Sequence, residues 1–399
     1  MKKLIIAGIV VLITSGCENL MPPVSKARIE ANTRWNATRA QMLYGVAKEH
    51  FKVGQLDACQ EKLTKALELS AECVDARLLL GKVHIERGKP AAALRELHRA
   101  MEASPRNPQA QYLLGVALEK GGRLAAALEA YRQAYALDKT DLAPVRAAAE
   151  VLVQMGQIRR AQVYIDSYLP QAGNDPAMFE VAGRIAAMCG DDARAADAFR
   201  QALALDSEND DYRRALGRAQ FRAGRYEQAV ETLSDLVASG PQPVWVSARL
   251  GDCYLALNRP DDAFDAYERA READDSPALT AKLAKASLAA GRRGRAIHLA
   301  QTALSAKRDC GEAILVLGYA LVADGQPHRA RDLLRDAAGG AHSDDSTVWC
   351  LLGRAQAACG DEAEAVRCYT EALRRKPDNA LARALLDAAR IEEVSRAAP

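Results

Sequence analysis

The sequence predicts an all-α fold, a solenoid of about ten helix–turn–helix units closed by a C-terminal capping helix. Three observations carry this expectation. Gly54, Gly88, Gly122, Gly156, Gly190 and Gly224 follow one another at intervals of 34 residues; Asn258 holds the seventh place, and Gly291, Gly325 and Gly360 continue at 33, 34 and 35. A small residue recurs five positions after each, from Cys59, Ala93 and Ala127 to Ala365, and another seven positions before each, from Ala47, Gly81 and Gly115 to Gly353. Between them lie alanine and leucine interleaved with Glu, Arg and Lys, with aromatics at only 5%, a composition suited to packed helices. A fixed period of this length marks a repeat array, and 399 residues would be large for one globule.

The chain opens with Lys2 and Lys3, an apolar run over residues 4–14 (LIIAGIVVLIT), then Ser15, Gly16 and Cys17. This order of charge, apolar run and small residues predicts a signal peptide over residues 1–16. The run falls short of the about 20 apolar residues that a membrane-spanning helix needs. Thr14-Ser15-Gly16-Cys17 resembles the lipobox of bacterial lipoproteins, with Thr14 where that family more often has leucine. The resemblance implies cleavage before Cys17, lipidation of its thiol, and anchoring by several acyl chains. Glu18 follows, not the aspartate that retains such lipoproteins in the inner membrane. The implied place is therefore the periplasmic face of the outer membrane, in a cell that has one. Residues 17–39 are expected to be the lipidated N-terminus and a polar tether running into a helix.

The units are expected over residues 40–379, starting at 40, 74, 108, 142, 176, 210, 244, 277, 311 and 346. In each, the register glycine sits between two helical stretches, where the chain must turn left-handed; Asn258 is the best substitute for it. The other two small-residue sets are expected on facing helix surfaces, allowing close approach, with Leu80, Leu114, Leu216, Tyr131, Phe199, Tyr267 and Tyr369 filling the space beside them. Pro105, Pro241 and Pro377 end units. The fourth unit departs from the pattern: Tyr168 replaces a late alanine, and Pro170 and Gly173 break its second helix early. A bend or looser joint is expected there. Residues 380–399 are expected to form a capping helix and tail, with Leu381, Leu385 and Leu386 on its buried face.

Leu80-Gly81, Leu114-Gly115, Leu250-Gly251 with Tyr254, and Trp349 with Leu352-Gly353, each followed by the alanines above, resemble the tetratricopeptide repeat. The resemblance implies a right-handed superhelix whose concave groove is lined by unit positions 2, 5, 9, 12 and 13 of each first helix. Those positions place Arg184, Arg214, Arg218, Phe221 and Arg222 in units five and six, and Trp245, Leu255, Leu288, Leu315, Tyr319 and Val322 in units seven to nine. A basic stretch thus leads into an apolar and aromatic one, fit for carboxylates and for buried anchors. The carboxylate clamp of chaperone adaptors needs asparagine at position 9; here Lys48, Lys82, Arg184, Arg218 and Tyr319 are among the residues holding it, so that clamp is not expected.

Catalytic and cofactor chemistry is missing from the motifs. There is no HExxH, CxxC, GxSxG, GxGxxG or phosphate-loop spacing, and Gly81-Lys82 and Gly88-Lys89 do not make one. His50 and His84 share a repeat position in neighbouring units and read as packed histidines, so neither metal nor cofactor is expected. Apart from Cys17, the cysteines fall at unrelated repeat positions and read as free replacements for small residues. Without residues 1–16 the chain carries 52 basic and 52 acidic residues, against the basic excess of a nucleic-acid binder. The expectation is a non-catalytic, lipid-anchored scaffold of the bacterial envelope that binds other proteins or peptides in its groove. Assembly of a pilus, secretion or exopolysaccharide export complex comes first, an adaptor for cell-wall hydrolases or proteases second, and an enzyme, the reading of another class, last.

Overall fold

A computed structural model describes residues 26–397; the signal-peptide and Cys17 expectations lie outside them. Among the described residues the chain is all helix, with no strand. Ten opening helices alternate with ten returning ones. The opening set is α1 (Lys26–Lys52), α3 (Val74–Glu86), α5 (Pro108–Lys120), α7 (Ala143–Gln154), α9 (Pro176–Met188), α11 (Asp210–Arg222), α13 (Val244–Ala256), α15 (Pro277–Ala289), α17 (Gly311–Ala323) and α19 (Ser346–Ala358). The returning set is α2 (Leu56–Leu69), α4 (Pro90–Ala103), α6 (Leu124–Leu137), α8 (Ile158–Tyr168), α10 (Asp192–Leu205), α12 (Tyr226–Ser239), α14 (Pro260–Ala273), α16 (Arg293–Ala306), α18 (Pro327–Gly339) and α20 (Glu362–Arg375). α21 (Ala380–Ala397) follows. None of these helices is long and apolar enough to cross a membrane.

Local chemistry sets the boundaries. Proline opens α4, α5, α9, α14, α15 and α18, where its missing N–H has no helical partner to lose. Asn107, Asp191, Asn209 and Asp361 accept hydrogen bonds from backbone N–H groups one turn on, capping free donors. Each turn after an opening helix closes in one way. At Gly122 (φ 73°), Arg123 N donates to the Leu118 carbonyl and Gly122 N to that of Glu119, both at 2.9 Å. Asn258, at φ 55°, reproduces the same pair of bonds with Tyr254 and Leu255; asparagine tolerates the left-handed region best after glycine.

The glycine seven positions earlier makes room for a large side chain of the returning helix. A Cβ on Gly115 would stand 2.5 Å from the Tyr131 ring, and one on Gly251 or Gly353 equally close to the rings of Tyr267 and Tyr369. Leu97, Phe199, Leu233 and Leu334 take that place over Gly81, Gly183, Gly217 and Gly318. A ring seated on bare backbone draws the two helices of a unit together. Tyr131 and Tyr267 are buried there, and their hydroxyls donate at 2.7 Å to Glu119 and Asp252.

The helices form two compact units, one through Ala172 and one from Gly173 onward. In the first, α8 ends at Tyr168 and a 3-10 turn over Leu169–Gln171 follows, as Pro170 demands. Its core near the start gathers Ala40, Ala47, Leu63, Leu80 and Val83, with Leu43, Tyr44 and Phe51 packed against it. In the second, the core continues from α9 to α21, with one large cluster around Leu317, Leu321, Leu334 and Leu351.

At the ends, the helix into which the stretch before residue 40 runs begins as early as Lys26, since residues 26–39 contain no glycine or proline to stop it, and one expectation needs correction. On α21, Leu381 is 51% exposed. Ala382 and Leu386 are buried, Leu385 is half-buried, and they cover Cys350, Tyr369 and Ala372.

Candidate functional site

The opening helices α11 and α13 lie side by side in the second compact unit, with α12 connecting them. On α11, Arg214, Arg218 and Arg222 are spaced by four and share one face, with Phe221 beside them. On α13, Trp245 and Arg249 are likewise four apart. The Arg218 guanidinium carbon stacks 3.8 Å from the Trp245 ring centre, and that of Arg249 stands 4.3 Å from the Phe221 ring. Arg218, Phe221, Arg222, Trp245 and Arg249 together line a depression of about 350 Å³. Phe221 also meets Tyr226 edge-on at 5.6 Å. Trp245 and Phe221 are half-buried, their inner edges resting on the core around Leu233, Leu236 and Leu250.

The charges are unequally neutralised. Arg214 bonds Asp211 at 2.7 Å and Gln242 at 3.1 Å. Arg222 stands 4.0 Å from Asp192. Arg249 lies 3.3 Å from Asp252, a carboxylate already engaged by Lys282 and the Tyr267 hydroxyl. Arg218 has no carboxylate partner among the described residues. Burial against Trp245, and then the like charges of Arg222, Arg249 and Arg214, push its pKa below the ordinary guanidinium value. It stays charged, since guanidinium deprotonates only at extreme pH. The site is thus an aromatic-floored pocket with one unpaired cation at its centre.

The other expected groove residues are not part of this pocket. Arg184, on α9, is held by Glu180 at 2.7 Å. Leu255, Leu288 and Leu315 are half-buried, as Trp245 is, each with one side packed against a core cluster. Tyr319 is 42% exposed and carries Arg354 at 4.9 Å over its ring. Arg249 was missed by the family positions. Its signal was the four-residue step from Trp245, the same step that sets the arginine stripe on α11.

His50 and His84 do not converge. His50 Nδ1 lies 2.7 Å from the Gln55 side chain, while His84 is partly buried, and desolvation lowers its pKa. Among the described residues no group of three His, Cys, Asp or Glu side chains is arranged to hold a metal ion. The eight described cysteines are free.

Paired antiparallel helices stacked in register, with chemistry concentrated on the opening helices, define a helical-repeat binding scaffold. Sequence models of the tetratricopeptide repeat match residues 44–97, 78–141, 214–277 and 281–346, with further matches at 118–185 and 346–379. The first four matches, made by one model, together cover more than half of the chain. The chain belongs to the tetratricopeptide repeat family, whose members bind other proteins or peptides. No curated protein matches it significantly. Among solved structures it is similar to the APC/C hetero-tetramer Cut9–Hcn1 (15% identity, 88% of this chain and 76% of that one, TM-score 0.44). It is also similar to yeast Tom70 (14%, 90% and 97%, 0.42) and to MamA 41-end from Desulfovibrio magneticus RS-1 (20%, 41% and 93%, 0.36).

Proposed function

We propose that the protein is a non-catalytic scaffold, lipid-anchored through Cys17 in the bacterial envelope, that captures an acidic segment of a partner protein on α11 and α13. Facing the periplasm, preferably from the outer membrane, it would hold that partner during assembly of a pilus, secretion or exopolysaccharide export complex. The observation that carries the binding reading is Arg218, stacked on Trp245 among three further arginines and without a carboxylate of its own. A partner carboxylate fits this cation with charge-assisted hydrogen bonds, and an apolar side chain beside it fits the Trp245–Phe221 floor. The anchor reading rests on the lipobox-like residues 14–17.

The test is recovery of partners from membranes carrying the anchored protein, identified by mass spectrometry and then titrated. Trp245→Ala is expected to weaken binding by roughly 2 kcal/mol or more. Arg218→Glu is expected to weaken it chiefly at low salt, since screening acts over about 10 Å at 0.1 M. Unchanged recovery by a folded double variant would move the site off α11 and α13.

A further inference from the structure

The face of α1 turned away from the core is apolar and uncovered among the described residues. Trp35 is 62% exposed, Met42 69%, Val46 47% and Val53 68%. Spaced by seven, four and seven residues, they fall on one stripe. Val53 extends it just past the helix end, its N–H still bonded to the Glu49 carbonyl at 3.3 Å. The opposite face of α1 is the packed one, through Leu43, Tyr44 and Phe51.

The same repeat positions are covered in the other opening helices. Met42, Val46 and Glu49 correspond to Ala76, Leu80 and Val83 on α3 and to Val348, Leu352 and Ala355 on α19, all of them buried. On α1 this stacking face is presented rather than used. It also differs in one respect: two charged residues, Arg39 and Glu49, interrupt the stripe at its remaining turns, and both are exposed.

Their placement selects an occupant. Met42 and Val46 lie two residues either side of residue 44, Arg39 and Glu49 five, Trp35 and Val53 nine. A second α1 laid antiparallel on the first therefore sets Met42 against Val46, Trp35 against Val53, and Arg39 against Glu49, each twice by symmetry. Every apolar residue meets an apolar one and each charge its opposite. A parallel pairing would instead oppose Arg39 to Arg39 and Glu49 to Glu49. The paired stretch spans about 27 Å at about 1.5 Å per residue. Glu49 already bonds Lys52 at 2.8 Å, but both side chains are exposed, and a pair of that kind is weak enough to rearrange. We infer that α1 is a self-association surface, and that a second copy of this chain docks on it antiparallel through Trp35, Met42, Val46 and Val53, with Arg39 paired to Glu49.

The test uses the full chain in membranes and after solubilisation. Cysteines introduced together as Met42→Cys and Val46→Cys are expected to cross-link two copies in membranes on oxidation, while Lys48→Cys, off the stripe, is not. In solution, sedimentation is expected to show a dimer that Val46→Glu converts to monomer. Arg39→Glu and Glu49→Arg are each expected to weaken the dimer about tenfold. The double swap Arg39→Glu with Glu49→Arg is expected to restore it. All these positions are exposed, and circular dichroism checks that each variant is folded. A chain that stays monomeric at every concentration and does not cross-link would overturn the proposal, whether the stripe proves open, covered by residues before 26, or taken by another protein. A dimer indifferent to the single swaps, or not restored by the double one, would overturn it equally.

Discussion

At the scale of single residues, the contact that most restricts the fold is a ring on a glycine. Gly251 is expected to reject even a methyl group, because its Cβ would stand 2.5 Å from the buried Tyr267 ring. Gly251→Ala should destabilise the chain by about 1–3 kcal/mol, as overpacking does. Gly45, with nothing within 4 Å of its Cβ position on α1, should behave oppositely: Gly45→Ala is expected to stabilise by about 0.5–1 kcal/mol. Thermal unfolding of the two variants checks both signs. A second consequence concerns pH. Burial pushes the Cys368 thiol up to about 11, and the Cys253 thiol and Tyr369 hydroxyl up to about 12. Tyr131 and Tyr267 are raised as well, by burial first and by the carboxylates they donate to. In the unfolded chain thiols ionise near about 8.5 and tyrosines near about 10, so the folded state binds more protons above those values. Stability from these groups is complete below about pH 8.5 and falls as pH rises through the folded values. A melting temperature that stayed level from pH 8 to 11 would contradict this.

At the scale of elements, α21 is the last described helix and packs on α20. α21 covers the end of the second unit through Ala382, Leu385 and Leu386. Leu386→Ala is expected to cost about 2 kcal/mol or more, whereas Leu381→Ala, on the exposed side, should lie within about 0.5 kcal/mol of the parent. A chain ending at residue 379 would expose Tyr369, Cys350 and Ala372. It should unfold at lower temperature and self-associate through that surface, which calorimetry and light scattering would detect. The leucine spacing announced an amphipathic helix correctly but assigned Leu381 to the wrong edge of its apolar arc. A helical face is about a hundred degrees wide, and which flank touches the neighbour depends on how the helix is rotated when it docks.

For the whole molecule, the formal charge of +2 conceals local imbalance. Many arginines are paired along their own helix, such as Arg200 with Asp197 and Arg213 with Asp210, and exposed pairs of this kind add little stability. Partner binding through Arg218 should therefore be the salt-sensitive property of the protein, and its melting temperature comparatively indifferent to salt; parallel titrations with sodium chloride separate the two. The anchor is checked independently. Cys17→Ala is expected to abolish palmitate labelling and release the chain from membranes, while its helical circular dichroism spectrum stays unchanged.

The period, the helix pairs and the left-handed turns were determined by the sequence alone. They depend on local chemistry: glycine or asparagine where φ is positive, proline and Asx residues where helices begin, and apolar residues at helical spacing. The groove positions were legible only as faces of helices. The tertiary structure decided which of those faces is dry and which is open. It packed one side of Leu255, Leu288 and Leu315 against the core, and brought Arg249 onto Phe221 and Arg218 onto Trp245. Among the described residues it also left the stacking face of α1 uncovered. Each of these depends on what a neighbouring unit places within about 4–6 Å of a side chain, and no spacing within one helix specifies that.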